Sequence, residues 1–290
     1  MTACNSEPEQ SLYWSAIHVS GNDKSGDAHL LELPDGRAFL IDTGYPQFAQ
    51  SNLLPYLKER EISHLSGVLI SHAHRNHYGA LLALAKEIPI DIVYFNRPDH
   101  NLCLLEARND RCLSTHVEET LQQLASNTKV KSASSGDILI DAPYLKLSVL
   151  HQSNSLNSEA SQQASFNNKK YTINESSVVA RLQYGDISIL FPGDIGPTTG
   201  EFLVESFPKN LQSTLLAAPH HGVNPLPGVS FFQAVNAKLI IASISASVFN
   251  SHRGEFLRQI TTDRPLVVTG NVGNVRVRIS KTEYELELPQ

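Results

Sequence analysis

Three histidines stand close together in the first third of the chain, and their spacing is typical of metal ligands. An apolar run over 67–70 ends at Ser71. The histidines that follow are His72, His74 and His77, and a segment with helical spacing comes directly after them. Side chains two positions apart in an extended chain point the same way, and a residue at a helix start can turn back toward them. Because imidazole is a preferred ligand of zinc and related divalent ions, the segment predicts a metal site, against the alternative of a solvated histidine-rich turn.

Two later segments also deliver polar residues at the end of an apolar run. The run over 187–191 leads to Asp194, and the run over 214–217 leads to His220 and His221. A carboxylate at the end of a buried strand is costly unless it is paired or bound to a metal, and the alternative for Asp194 is to cap a following helix. We therefore expect three strand ends to present His, Asp and His-His at one edge of a sheet structure.

The composition is that of an ordinary globular protein. The chain has 290 residues and a formal net charge of -6, and 41% of its residues are hydrophobic. No stretch reaches the ~18 uninterrupted apolar residues of a membrane-spanning helix, so no transmembrane segment is expected, and collagen-like and wholly disordered chains are excluded. The segment 152–175 is dense in Ser, Asn and Gln and predicts either a disordered insertion or a flexible lid over a site.

The elements that must position these residues are strands and helices in alternation. Apolar runs rich in β-branched residues predict strands over 12–18, 28–33, 37–41, 67–70, 91–95, 145–150, 177–183, 187–191, 214–217, 238–242, 266–269, 274–279 and 283–288. Helical spacing predicts helices over 48–59, 78–87, 116–126, 198–206, 228–235 and 254–260. Two hairpins, with turns at 34–36 and 184–186, demand antiparallel pairing, so we expect a layered α/β structure with mixed sheets.

The N-terminus and the cysteines bear on where the protein is located. Residues 1–11 predict a flexible tail ahead of a single domain over 12–290, and the small-small-Cys triplet that ends at Cys4 resembles the end of a bacterial lipoprotein signal without its upstream regions. Cys103 and Cys112 predict a disulfide in an exported protein and two free thiols in a cytosolic one. We expect the bacterial cell envelope or periplasm, with the cytoplasm as the alternative.

The order of these motifs resembles the metallo-β-lactamase superfamily. The matching segments are Leu40-Ile41-Asp42-Thr43-Gly44, His72-Ala73-His74-Arg75-Asn76-His77, Gly193-Asp194 and Pro219-His220-His221-Gly222. A strand entry over 174–177 and a Thr-x-x-x-Gly hairpin over 269–273 make the resemblance closer to the hydrolase domain of ComEC-type competence proteins and their stand-alone relatives. The resemblance implies a four-layer αββα sandwich whose ligands gather at one edge.

The resemblance also implies a role for each matching residue. The implied metal ligands are His72, His74, His77, Asp194 and His221, with Asp194 as the carboxylate that bridges two positions. The implied cofactor is zinc, as one or two ions, with manganese as an alternative metal. Asp42 is implied to brace the histidine loop, and Asn174 stands at the strand entry where other branches carry a further histidine. His220 is either an alternative ligand or a proton donor near the leaving group.

Asn76 departs from the superfamily pattern, which carries Asp at this position. An amide cannot supply the anionic charge that helps to hold a second metal, so we expect the second metal position to be weakened. Asn76 therefore decides whether the site is active, and it stands with His220 and His252 among the candidate catalytic residues.

The implied function is hydrolysis of a phosphodiester by a metal-bound hydroxide, in a nucleic acid or a phosphorylated envelope component. Cations that would favour a phosphate are Arg75, Lys169, Lys170 and Arg253. The net acidity argues against tight binding of duplex DNA and favours a small or single-stranded substrate. The alternatives are hydrolysis of a cyclic amide or ester, as in β-lactamases and lactonases, and a non-catalytic metal-binding module. The sequence contains no indication of an oligomeric state.

Overall fold

Two mixed β-sheets form the framework of the structure. The computed structural model describes residues 11–21, 23–106, 112, 114–153 and 172–289. The first sheet contains β1 (Leu12–Ala16), β2 (His29–Glu32), β3 (Ala38–Ile41), β4 (Gly67–Ile70), β5 (Ile92–Phe95), β6 (Lys129–Lys131), β14 (Val275–Ile279) and β15 (Tyr284–Glu287), in the order β15-β14-β1-β2-β3-β4-β5-β6. The second sheet contains β7 (Ile138–Ala142), β8 (Leu145–His151), β9 (Val179–Tyr184), β10 (Ile187–Phe191), β11 (Leu215–Ala217), β12 (Leu239–Ala242) and β13 (Leu266–Val268), in the order β13-β12-β11-β10-β9-β8-β7.

Helices lie between the strands in sequence. The α-helices of the described residues span Leu54–Glu59, Arg75–Tyr78, Leu81–Glu87, His100–Glu106, Ser114–Ala125, Pro197–Ser206, Pro208–Leu211, Val229–Val235, Ala246–Asn250, Glu255–Ile260 and Thr269–Val272. None of them has the length and apolar character that a membrane crossing requires.

Alternate residues of one strand point into two different apolar cores. In β4, Leu69 belongs to a core shared by the two sheets, whereas Val68 and Ile70 belong to a core shared with the helices. In β10, Ile189 and Leu190 divide between the two cores in the same way. Because successive side chains leave a strand on opposite faces, both faces of each sheet must be covered. The layers therefore follow one another as helices, sheet, sheet and helices.

The predicted strands and the two hairpins with turns at 34–36 and 184–186 are present, with ends that differ by one or two residues. The expected hairpin over 269–273 is wrong, because this segment forms the helix Thr269–Val272 between β13 and β14, which belong to different sheets. β2 pairs antiparallel with β3, and β9 pairs antiparallel with β10, as the turns at 34–36 and 184–186 indicated. β6 and β7 were not predicted, because β6 is a three-residue edge strand with two exposed lysines and the apolar run of β7 is only three residues long. The expectation of a single domain over 12–290 stays a prediction.

The segment around Cys103 forms the helix His100–Glu106, which is not among the helices that the sequence predicts. Asp99 Oδ1 accepts hydrogen bonds from the backbone nitrogens of Asn101 (2.8 Å) and Leu102 (3.3 Å), which is the usual pattern of a helix cap. Asn101 therefore lies in the first turn of a capped helix over His100–Glu106. Residues 1–10 of the predicted tail and residues 154–171 of the predicted insertion over 152–175 lie outside the described residues.

Cys103 and Cys112 form a disulfide. Their Cα atoms lie 5.2 Å apart, within the range that a disulfide requires, and both side chains are buried. The bond closes a short loop, since the cysteines are nine positions apart.

We predict that reduction of this disulfide lowers the free energy of unfolding by roughly 2–3 kcal/mol, because the unfolded chain regains the entropy of the opened loop. The measurement is urea denaturation of the oxidised chain with and without reductant. The Cys103→Ser/Cys112→Ser variant serves as the control, because its transition should not respond to reductant. Equal transitions for the oxidised and reduced chain would contradict the prediction.

Candidate metal centre

Four strand ends meet where the two sheets face each other. β3 and β4 are parallel neighbours in the first sheet, and β10 and β11 are parallel neighbours in the second. Asp42 follows β3, and Ser71 opens the histidine motif after β4. Asp194 comes after β10 and His220 after β11. Because parallel neighbours end at the same sheet edge, each sheet delivers two of these segments to one place.

One carboxylate oxygen lies at the centre of the site. Asp194 Oδ2 lies 3.2 Å from His77 Nε2, 3.4 Å from His221 Nε2 and 3.7 Å from His72 Nε2. All four side chains are buried. The structure therefore brings together these predicted ligands from three separate segments.

The candidate ligand atoms fall into two groups that share Asp194. The first group consists of His72, His74 and Asp194, and the second consists of Asp27, His77, Asp194 and His221. Within each group the ligand atoms lie within 4.8 Å of one another. This arrangement offers two neighbouring positions for a divalent ion, with Asp194 between them.

The residues fit a divalent ion, because the site contains buried polar atoms without hydrogen bonds. Among the described residues, His77 Nε2 and Asp194 Oδ1 are such atoms. Buried polar groups are otherwise almost always hydrogen-bonded, and an unpaired one costs about 1–3 kcal/mol. Imidazole nitrogens with a shared carboxylate are also the donor set that zinc and related ions prefer.

Asp42 holds the histidine motif from behind. Its Oδ1 accepts a hydrogen bond from Ser71 N (2.7 Å), and its Oδ2 accepts one from Ser71 Oγ (2.7 Å) and lies 2.8 Å from His77 Nδ1. This contact leaves His77 Nε2 directed at Asp194. A carboxylate behind a ligating imidazole orients the ring and raises its basicity.

The electrostatics of the cluster favour a cation. Burial opposes the charge of His77, but the carboxylates of Asp194 and Asp42 raise its pKa to about 10. Burial also opposes the charge of Asp194, yet the imidazoles of His221 and His77 hold its pKa well below its ordinary value. For His72, by contrast, burial lowers the pKa well below its ordinary value, so this ring is neutral and can ligate. A bound cation would replace the protons on the charged rings.

Two of the loops at the site adopt left-handed backbone conformations. Gly193 has a φ of 58°, and a Cβ there would lie 2.8 Å from Ser177 Cβ. His220 and His221 have φ values of 47° and 57°, and His220 N donates a hydrogen bond to Gly193 O (3.0 Å). For residues other than glycine this region costs about 1–3 kcal/mol each and is found mainly at functional sites.

His220 and Asn174 lie beside the cluster. His220 Nδ1 is 3.1 Å from the Pro225 carbonyl, which can only accept, so Nδ1 carries the hydrogen. Burial lowers the pKa of His220, and its Nε2 lies 3.3 Å from Asn174 Nδ2 and 3.9 Å from Asp194 Oδ2. A neutral ring in this tautomer presents a lone pair to the site, which favours the role of an alternative ligand over that of a proton donor.

The structure does not bring His252 into the site. Its side chain is exposed in the short turn His252–Gly254, whereas the next residue, Arg253, lines the central cavity. Successive side chains of a 3₁₀ turn point about a third of a turn apart, so the polar loop presents its arginine and not its histidine.

Asp27 was missed by sequence reasoning. It lies 5% exposed just before β2, and its Oδ1 is 3.3 Å from His221 Nδ1. The signal was available, because Asp27 borders an apolar strand just as Asp194 does. The absence of a neighbouring histidine motif made it look like an ordinary loop residue.

The two groups open into a cavity of about 300 Å³. Its lining is Asp23, Lys24, Ser25, Tyr45, His74, Asn76, Asn174, Asp194, His220, His221, Val223 and Arg253. A larger surface cleft of about 680 Å³, bordered by 54–63, shares no residue with this set. Arg75 is exposed and does not line the cavity, and Lys169 and Lys170 lie outside the described residues.

Comparison with known proteins shows which family this chain resembles. The family model described as the metallo-beta-lactamase superfamily matches residues 21–110, which contain the histidine motif. The resemblance to the metallo-beta-lactamase superfamily is confirmed.

Solved structures agree with the predicted four-layer αββα sandwich. CmlA, described as a diiron beta-hydroxylase from Streptomyces venezuelae, has a TM-score of 0.52 at 12% identity, over 94% of this chain and 55% of that chain. A diphosphatase from the PhnP family has a TM-score of 0.50 at 12% identity, over 93% of this chain and 98% of that chain.

Curated relatives support the ComEC-type branch of the superfamily. Competence protein ComA from Neisseria gonorrhoeae is 25% identical over 207 residues, which cover 71% of this chain and 24% of that protein. ComE operon protein 3 from Bacillus subtilis (strain 168) is 24% identical over 234 residues, which cover 75% of this chain and 27% of that protein. Uncharacterized protein YcaI from Escherichia coli (strain K12) is 36% identical over 80 residues, which cover 28% of this chain and 10% of that protein. The chain thus spans about a quarter or less of the length of these relatives.

We predict that Asp42→Asn lowers the affinity for a divalent ion by about 10–100-fold, because His77 loses the carboxylate that orients its ring. The measurement is competition for zinc with a chromophoric chelator. Asp35→Asn is the matched control, since Asp35 pairs with Arg37 at the exposed turn of a hairpin. A thermal melt of both variants reports whether they fold, and a folded Asp42→Asn chain with unchanged affinity would contradict the prediction.

Proposed function

We propose that this chain is a metal-dependent hydrolase that acts on a small or single-stranded phosphodiester. The observation that carries the proposal is the position of two cations, Lys24 and Arg253, on the wall of the cavity into which the Asp and His groups open. Anionic substrate oxygens are stabilised by such cations, whereas a neutral lactam or lactone has no comparable need of two. The diphosphatase among the structural neighbours supports the same class of substrate.

The cofactor we propose is zinc, as one or two ions, with manganese as the alternative. Its candidate ligands are His72, His74, His77, Asp194 and His221. When bound, a divalent ion polarises a phosphoryl oxygen and lowers the pKa of a water molecule from ~15.7 toward ~7. Because one structural neighbour is a diiron protein, elemental analysis of the purified chain should include iron.

The residues of the cavity have separate tasks in this proposal. Lys24 and Arg253 bind the non-bridging oxygens of the phosphate. Tyr45, whose ring centroid lies 5.5 Å from Lys24 Nζ, holds that lysine at the cavity wall by a cation–π contact. Asn174 and His220 also line the cavity, where the Asn174 amide can donate a hydrogen bond to the substrate and His220 is an alternative metal ligand.

The size of the cavity and the charge of the chain limit the substrate. A volume of about 300 Å³ is at the lower end for small-molecule sites, so it accommodates one phosphoryl group with part of its substituents. The net charge of -6 is unsuited to a long duplex, whose binding depends on the neutralisation of several phosphates. We therefore propose a single strand or a small phosphodiester, and no tight binding of duplex nucleic acid.

We also propose that the protein works in the bacterial cell envelope or periplasm. The buried disulfide between Cys103 and Cys112 supports this location, because disulfides persist in oxidising compartments. Cell fractionation together with thiol trapping of the unpurified protein tests it. Recovery from the cytosol with both thiols free would contradict the proposed location.

The test of function compares two chromogenic substrates. Bis-p-nitrophenyl phosphate and a chromogenic cephalosporin are each assayed with added zinc and with added manganese. We expect metal-dependent turnover of the phosphodiester. Turnover of the cephalosporin alone would support an amide or ester hydrolase, and turnover of neither by a metal-loaded chain, also across further phosphodiesters and lactones, would support a non-catalytic metal-binding module.

We predict that Lys24→Ala and Arg253→Ala each raise KM for the phosphodiester by about tenfold, which corresponds to the loss of one charge-assisted hydrogen bond at a partly solvated site. Arg75→Ala is the matched control, because this exposed arginine neighbours the same motif without lining the cavity. Steady-state kinetics on the three variants provides the comparison. Equal KM values for all three would argue against a phosphate site between Lys24 and Arg253.

A further inference from the structure

Asp27 and Asn76 belong to two chain segments that lie against each other at the site. Asp27 N donates a hydrogen bond to Asn76 O (3.3 Å), and Asn76 Nδ2 donates one to Ser25 O (3.1 Å). The approach is this close because Gly26 has no side chain, and a Cβ there would lie 2.8 Å from Asn76 O. The backbone thus places the carboxylate of Asp27 next to Asn76, whose side chain is uncharged.

The Asp27 carboxylate contacts the last of the candidate ligands. His221 Nδ1 lies 3.3 Å from Asp27 Oδ1, while His221 Nε2 lies 3.4 Å from Asp194 Oδ2. His77 is placed in the same way, with Asp42 at its Nδ1 and Asp194 at its Nε2. The two rings of the second group therefore each have a carboxylate behind them and the shared Asp194 in front, and His221 Nε2 also lies 2.8 Å from Asn76 Nδ2.

The position of Asp27 is fixed on its other side as well. His29 Nε2 lies 3.6 Å from Asp27 Oδ1, and Trp14 Nε1 donates a hydrogen bond to His29 Nδ1 (3.4 Å). The indole can only donate, so His29 Nδ1 accepts and its Nε2 carries the hydrogen toward Asp27. Asp27, His29 and Trp14 are all buried, so this orientation is held in the core.

We propose that Asp27 supplies, from a different segment of the chain, the negative charge that Asn76 lacks, and that the protein consequently holds two divalent ions. The inference rests on the proposed metal centre but not on the proposed substrate. It replaces the expectation that Asn76 weakens the second position. That expectation considered only the side chain at position 76, whereas the affinity for an ion depends on the charges of all the groups that surround it.

The unpaired atoms of the second group agree with this proposal. Asp194 Oδ1 and His77 Nε2 are buried and make no hydrogen bond to any residue that the structure describes. Asp27 has a candidate ligand atom within 4.8 Å of those of His77, Asp194 and His221. Asp194, His77 and His221 are then available to the second ion, while the carboxylate of Asp27 adds its negative charge behind His221, so Asn76 need not contribute one.

The experiment counts metals and measures affinity at buffered free zinc. The unaltered chain is expected to bind two ions. Asp27→Asn is expected to bind the second ion about 10–100-fold more weakly. Adding Asn76→Asp to that variant should return the affinity to within about tenfold of the unaltered chain, because the carboxylate is restored beside the same position. Asp23→Asn, which removes an exposed carboxylate from the same cavity wall, should leave both ions in place.

The possible outcomes separate this inference from the proposed function. The inference is overturned if the unaltered chain binds only one ion. It is also overturned if the Asp27→Asn chain retains both ions with affinities within twofold of the unaltered chain. Neither result contradicts the proposal of a metal-dependent hydrolase. No rescue by Asn76→Asp in a folded double variant also overturns it, because the loss is then structural. Absence of any bound metal overturns the metal centre itself. If Asp27→Asn does not fold, the metal count of the unaltered chain decides between the outcomes.

Discussion

The buried carboxylate of Asp194 is the interaction on which the site depends. One of its oxygens lies within 3.2–3.7 Å of the Nε2 atoms of His77, His221 and His72. A charge in the interior is tolerated only when neighbours of opposite charge or a metal compensate it. The loops that surround it therefore have to converge on this carboxylate, and the fold is arranged so that they do.

The mixed sheets make that convergence possible. β3 and β4 carry Asp42 and the histidine motif to one end of the first sheet, while β10 and β11 carry Asp194 and His221 to one end of the second. Parallel neighbours end at the same edge, whereas antiparallel neighbours would carry consecutive segments to opposite edges. β3 and β10 are also members of the antiparallel hairpins β2–β3 and β9–β10, so each hairpin joins an antiparallel part of its sheet to the parallel part.

Carboxylates behind the imidazoles orient the rings of the site. Asp42 at His77 and Asp27 at His221 each contact Nδ1, so both rings present Nε2 to Asp194. A ring held in this way requires little reorganisation when a cation binds, which is the usual effect of a second layer of contacts around a metal. We propose that the uncharged Asn76 is compatible with such a site because Asp27 supplies negative charge close to it.

The sequence alone determined the layered fold, the strand ends and the residue types that meet there. The apolar run over 67–70, for example, predicts both a strand and the place where its ligands begin, because these are local properties of the chain. The helix around Cys103 begins at a local cap, Asp99, so its signal was also present in the sequence. Only the tertiary structure decided that Asp27 lies behind His221 and that Arg253 and not His252 lines the cavity. Both depend on how distant segments pack, which spacing along the chain does not encode.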